Sequence, residues 1–283
     1  MTISYDLFST IAKEAGADLI GVAPIDQCAD IPRKHHPSSI FPEAKSVVVV
    51  GRRITRGSLR GIEEGTNFAN YRAYGKDWLE NRFLCLTTFK IAEYLEDNGW
   101  EAVPLQNLPP EIPPMGVRVK KDLPEPNVFV DCDDLAIRAG IGEMGYCGVL
   151  LTQKFGPRQR IQVILTDALI EPSPLPTNTI CQYAQGCRGF CPLGAISGEK
   201  EIEIRGKKRI VGSIDYRVCA SCKNGAIPNT SHPSGKPDRI AAACIRGCLS
   251  FLEEKELLEN RFEKKFQIRE PWSIKSESDL FKL

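Results

Sequence analysis

The sequence predicts an α/β fold followed by a separate cysteine-rich segment, and three observations lead there. Helix-like and strand-like apolar patterns alternate along the chain as far as Pro172. Seven of the eleven cysteines then crowd between Cys181 and Cys248. Between the two regions stand Pro172, Pro174 and Pro176, a spacing that interrupts regular structure and marks a boundary. The expected organisation is an α/β core over 1–172, a cysteine-rich segment over 173–262 and a polar tail over 263–283.

Each element has its own signal. Leu7, Phe8, Ile11, Ala12 and Ala15 recur at helical spacing, and Gly16 suits the position just past a helix end. Asp18 to Ala23 and Ser46 to Val50 read as buried strands, the second stopped by Gly51. Trp78 to Asn98 reads as one long helix, with Leu84, Thr88, Ile91 and Leu95 on one face and Gly99 at its end. Ala102 to Leu105, Val128 to Asp131 and Gln162 to Thr166 are strand-like. Leu108 to Pro114 is a proline-rich loop. Asp133 and Asp134 suit the first turn of a short helix ending near Gly140. Past the boundary, Glu201 to Val211 predicts a hairpin turning at Gly206, with Lys207, Lys208 and Arg209 at a solvated tip. Helical patterning returns from Ile240 to about Phe262.

Composition narrows the function classes. With 42% hydrophobic and 26% charged residues, a packed core is expected and wholesale disorder is not. The 37 basic and 36 acidic residues leave a formal charge of +1, without the basic footprint that nucleic acid or an anionic membrane attracts. The N-terminal stretch lacks the pattern of a secretory leader, and no apolar run approaches the roughly 20 residues of a membrane span. A soluble cytoplasmic protein is the expectation. In a reducing compartment, eleven cysteines are ligands or free thiols rather than disulfides.

The spacing of those cysteines carries the chemistry. Cys187-Arg-Gly-Phe-Cys191-Pro192 ends like the C-x2-C-x2-C-x3-C-P run of bacterial ferredoxins, whose last cysteine serves the other cluster. Laid on this chain, the run finds Cys181, Cys187 and Cys191, but Ala184 occupies the second ligand position. A second group follows, Cys219-x2-Cys222 and Cys244-x3-Cys248. Crossed pairing assigns Cys191, Cys219, Cys222 and Cys244 to one cluster. It leaves Cys181, Cys187 and Cys248 for the other, one thiolate short. That cluster could be three-iron, take a non-cysteine ligand, borrow Cys147 or expose an iron to substrate. Structural zinc fits C-x2-C, yet C-x5-C and C-x3-C-P suit zinc ribbons poorly.

Four stretches, in order, resemble the short relatives of epoxyqueuosine reductase and the core of reductive dehalogenases. They are Ala15-Gly-Ala-Asp-Leu-Ile-Gly-Val-Ala23, Phe41-Pro-Glu-Ala-Lys-Ser-Val-Val-Val-Val50, Ala139-Gly-Ile-Gly-Glu-Met-Gly145, and Phe155-Gly-Pro-Arg158 with Leu165-Thr-Asp167. The resemblance implies a nitroreductase-like three-layer core with a C-terminal ferredoxin-like domain carrying two 4Fe-4S clusters. It also implies a corrinoid (cobalamin) in the core, a ferredoxin- or flavodoxin-type electron donor and a small-molecule substrate, and it admits a homodimer. Tyr146 and Cys147 stand where family members often carry Lys-Asn. His35, His36 and His232 lie in no cobalt-ligand context. The C-terminal helical extension of true epoxyqueuosine reductases is missing, so a transfer RNA substrate is not expected.

Several residues are candidates beside the cysteines. Asp131 aligns with the family's acid, although its shorter spacing to the glycine turn also suits a helix cap. Tyr146 offers a phenol as proton donor, or simply packs. Gly140, Gly142 and Gly145 let backbone approach a cofactor, or merely end a helix. Arg158 suits a phosphate or carboxylate tail, or a structural role. Cys147 is a ligand, or a buried inert thiol. The leading expectation is an iron–sulfur reductase. The competing ones are an electron carrier without its own substrate and a zinc-stabilised binding module.

Overall fold

Four consecutive valines decide the centre of the molecule. Val47 and Val49 point to one face of a sheet and Val48 and Val50 to the other, as alternation in a strand requires, and all four are fully buried. A strand buried on both faces needs cover on both, and the rest of the fold supplies it. The computed structural model describes residues 2–108, 115–182, 184–230 and 235–272. Most of the proline-rich loop, His232 and the last part of the tail lie outside the described residues.

The sheet has four antiparallel strands: β1 (Leu19–Pro24), β2 (Ser46–Arg53), β3 (Ala102–Leu105) and β6 (Gln159–Thr166) in the order β1-β2-β6-β3. Val49 pairs with Gly21 on one side and Val163 on the other. One face carries helices α1 (Tyr5–Glu14) and α2 (Cys85–Asp97), whose Phe8, Ala12, Ile91 and Leu95 pack with Val48, Val50 and Ile164. The opposite face carries α3 (Cys132–Arg138), whose Leu135 and Ala136 pack with Val49, Val163 and Leu165. Gly21 makes that contact close: a Cβ there would sit 2.6 Å from the Ala139 carbonyl oxygen. The fold is therefore mixed α/β.

Two short strands, β4 (Glu143–Met144) and β5 (Leu150–Leu151), form a hairpin after α3. The C-terminal segment contains α4 (Ala184–Gly189), strands β7 (Ile196–Ile204) and β8 (Lys207–Ile214), α5 (Tyr216–Ala220) and α6 (Ala243–Glu254). The β7–β8 hairpin turns at Arg205 and Gly206, both with positive φ as a tight two-residue turn needs. This segment shares a third apolar core with the rest of the chain. Ile54, Ile62, Tyr71 and Leu79 pack there with Ile245, Leu249 and Leu252 of α6.

Buried ion pairs reinforce the junction. Arg246 of α6 pairs with Glu63, both within 5% exposure, and donates to the Asn224 carbonyl at 2.9 Å. Arg160 meets Asp238 at 2.6 Å and Glu80 at 3.1 Å, and Tyr71 donates to Asp238 at 2.8 Å. Taking such charges from water costs several kcal/mol unless each finds a partner, so these pairs fix one arrangement of the segment.

Some elements differ from expectation. The long helix predicted from Trp78 begins instead with wide π-type turns over Tyr71–Asp77 and Leu79–Leu84, and becomes α-helical only at Cys85. Gly75 packs on the Tyr71 ring there, where a Cβ would lie 2.4 Å from the ring. Val128 to Asp131 forms no strand, because Asp131 caps α3. The C-terminal helix stops at Glu254, before the positive-φ residue Glu256. Among the described residues, no helix is long and apolar enough to cross a membrane.

Candidate metal centre and cavity

The thiols converge on one side of the shared core. The Sγ atoms of Cys147, Cys187 and Cys248 all lie within 4.8 Å of one another, and all three residues are largely removed from water. Three separate elements deliver them. Cys147 comes from the β4–β5 turn, Cys187 from α4 and Cys248 from α6. Cys181 lies against the same group: its sulfur accepts the Tyr146 backbone N–H at 3.2 Å, and its charge acts on Cys187. Hydrogen bonds from Cys147 and Cys248 pull the Cys187 thiol down to about 5, while those same bonds push Cys147 up to about 12 and Cys248 upward. A metal bound here would displace the thiol protons, since ligating cysteines bind as thiolates.

The remaining cysteines of the segment form a second neighbourhood. Burial raises Cys219, and the charges of Cys191 and Cys222 raise it further. Burial likewise pushes Cys244 up to about 12, with Cys191 and Cys219 acting in the same direction. The Cys191 sulfur accepts the Ala195 N–H at 3.2 Å. Beside the first group lies a hollow of about 740 Å³ bordered by Cys181, Cys187, Cys248, Phe190 and Phe251. The donor set is thus all sulfur, hydrogen-bonded by backbone N–H groups and adjacent to open space. That fits iron–sulfur chemistry, in which N–H···S bonds tune potential.

Cysteines elsewhere do not join them. Burial pushes Cys28 up to about 11 and Cys132 higher still, as for inert core thiols. Cys85 donates to the Glu80 carbonyl at 3.1 Å.

A separate cavity of about 600 Å³ opens at the N-terminus of α3. Its polar wall includes Asp30, His35, Asp131, Asp133, Arg138 and Lys236. Asp131 caps the helix, its Oδ1 accepting the Asp134 N–H at 3.0 Å. Asp134 is tied to Arg138 at 2.5 Å, and Arg138 also meets Asp30 at 2.5 Å. Among the described residues, no guanidinium pairs with Asp133 in this way. Burial and the neighbouring Asp131 push its carboxyl up to about 6, against the pull of Lys236 and Arg160. Sequence reading assigned Asp133 only to a helix start. The signal available was the three acids at 131, 133 and 134, too many for one cap.

The other candidates sit elsewhere. Tyr146 is 2% exposed and donates to Glu199 Oε1 at 3.0 Å; it does not line the cavity beside Asp131. Burial, then Glu199, raises its phenol. Gly140 has a φ of +74° just past α3 and lies against the Pro174 carbonyl. Gly142 and Gly145 both press on Leu151 across the hairpin. Arg158 is buried, donating to the Ile54 carbonyl at 2.7 Å and to Asn260 Oδ1 at 2.9 Å; burial lowers it to about 10.

The chain combines a mixed α/β fold with a buried group of converging thiols. Over 119 residues the chain is 33% identical to tetrachloroethene reductive dehalogenases of Desulfitobacterium hafniense and Dehalobacter restrictus (strain DSM 9455 / PER-K23). That stretch is 41% of this chain, which covers 18% of the length of those curated relatives. A solved catabolic reductive dehalogenase in complex with 3-bromo-4-hydroxybenzoic acid matches with a TM-score of 0.50 at 15% identity, covering 98% of this chain and 42% of the other. The match to epoxyqueuosine reductase from Streptococcus thermophilus has a TM-score of 0.47 at 13% identity, over 87% and 80% of the two chains. No family model matches. The resemblance to reductive dehalogenases, read from the sequence motifs, therefore holds over the matched 119 residues.

Proposed function

We propose that the chain is an iron–sulfur oxidoreductase of the epoxyqueuosine reductase-like type. It would pass electrons through two clusters to a reductive site in the α/β core. The observation that supports this most directly is the convergence of Cys147, Cys187 and Cys248 with Cys181 beside them. The second cluster would use Cys191, Cys219, Cys222 and Cys244. When bound, the clusters supply one-electron transfer.

The chain's own residues do the rest. The cavity at α3, about 600 Å³, is within the range of small-molecule sites and receives the substrate. Asp133, protonated up to about 6, holds a proton at the cavity wall and donates it as the substrate is reduced. Asp131 and Arg138 position the helix that carries it. Tyr146 and Arg158 act by positioning the hairpin and the strand ends. The family resemblance adds a corrinoid in the α/β core, which the cavity of about 600 Å³ at α3 is too small to hold beside a substrate. The electron donor in this reading is a ferredoxin or flavodoxin, the protein is cytoplasmic, and neither nucleic acid nor membrane is a partner.

One anaerobic preparation tests the reading through its iron, sulfide, cobalt and zinc contents. Two four-iron clusters require about eight irons and eight sulfides per chain. Cobalt would extend the assignment to a corrinoid. Folded, colourless protein with stoichiometric zinc and no sulfide would overturn it.

A further inference from the structure

Resting on the iron–sulfur reading, we infer that Cys147 supplies the fourth ligand of the cluster held by Cys181, Cys187 and Cys248, replacing the cysteine missing at Ala184. The ferredoxin run leaves that cluster one thiolate short, and Ala184 is where the shortfall lies. The fold makes it good from another part of the chain. Cys147 lies in the turn joining β4 and β5, outside the cysteine-rich segment, yet its sulfur lies within 4.8 Å of both Cys187 and Cys248.

The turn is built to hold that sulfur. Gly145 donates to the Val149 carbonyl at 2.9 Å, and Gly148 to the Gly145 carbonyl at 2.8 Å. Gly148 has a φ of +66°, which glycine adopts without strain. The flanking backbone is fastened to the C-terminal segment: Gly212 of β8 donates to the Tyr146 carbonyl at 2.8 Å, and Arg239 donates to the Cys147 carbonyl at 2.8 Å. The Tyr146 N–H reaches the Cys181 sulfur. An inert core cysteine has no need of this scaffolding or of three other thiols around it. Four cysteines close the cluster's coordination, so no iron is left open for substrate. The cluster is then a relay, and reduction takes place elsewhere.

The experiment compares anaerobically purified wild type, Cys147→Ala, the remote buried control Cys28→Ala, and Cys147→Ala combined with Ala184→Cys. Iron content, sulfide content and electron paramagnetic resonance are the readouts, with circular dichroism confirming the fold. Cys147→Ala should lose about one iron per chain and show a three-iron signal when oxidised, whereas Cys28→Ala matches wild type. The double variant should regain the lost iron; its failure to do so overturns the exchange with position 184. Full iron and an unchanged reduced spectrum in Cys147→Ala overturn the ligand assignment. Wild type lacking iron and sulfide overturns the underlying reading instead. Should the alanine variant fail to fold, Cys147→Ser replaces it. Altered g-values or iron content then support the assignment, and a spectrum identical to wild type overturns it.

Discussion

The sheet and the thiol region are both buried, but they are held together by different means. Around β2 and β6 the interior is mostly Val, Leu, Ile, Ala and Phe, with the separate thiols of Cys28 and Cys132, and apolar burial with strand hydrogen bonds dominates. Around α6 the interior contains Cys147, Cys187 and Cys244, together with the Arg246–Glu63 pair. Thiols and paired charges release less free energy on burial than aliphatic side chains do. In the first region the thiols of Cys28 and Cys132 pack singly among aliphatic side chains. The second brings the sulfurs of Cys147, Cys187 and Cys248 within 4.8 Å of one another.

Metal removal should separate the two most sharply. Anaerobic chelation should greatly speed amide exchange in the β4–β5 turn and in α6, while β2 and β6 stay protected. Equal protection of both regions before and after chelation would break the contrast. Next in size is the buried pair. Arg246→Ala strands Glu63 and should cost about 3–5 kcal/mol in denaturant unfolding, and a loss below about 1 kcal/mol would mean water reaches Glu63. The smallest effect concerns Asp133. Its folded carboxyl keeps its proton up to about 6, above the ordinary aspartate value. Between those two values the folded state binds a proton that the unfolded state has released, so stability falls as pH rises through the window. Asp133→Asn should flatten that slope and gain on the order of 1 kcal/mol at neutral pH. The same slope in both proteins would show that Asp133 ionises normally and would remove it as proton donor.

The sequence announced the two regions unequally. Ser46 to Val50 and the Gly206 turn were legible because alternation and turn chemistry are local, and the structure extends them to Ser46–Arg53 and a two-residue hairpin turn. The π-type turns from Tyr71 to Leu84 were not, because helical periodicity hardly distinguishes them from an α-helix until Tyr71 is seen to fill the space at Gly75. At the candidate site, Ala184 visibly interrupts the ferredoxin-like run of cysteines. The neighbourhood of Cys147 with Cys187 and Cys248 depends on the whole fold and has no local signature. Asp133 was hidden for a related reason. Its raised affinity for a proton arises from Asp131 and from burial that only the assembled cavity provides.

The turn that bears Cys147 also sets an order of events. The ribosome releases this thiol long before Cys248, so a complete ligand set exists only once α6 has emerged and docked. A delivery system that loads metal onto a nascent chain would find a vacancy at every earlier moment. On the iron–sulfur reading, maturation of the centre follows the synthesis of α6, and Cys147 stays reduced until then.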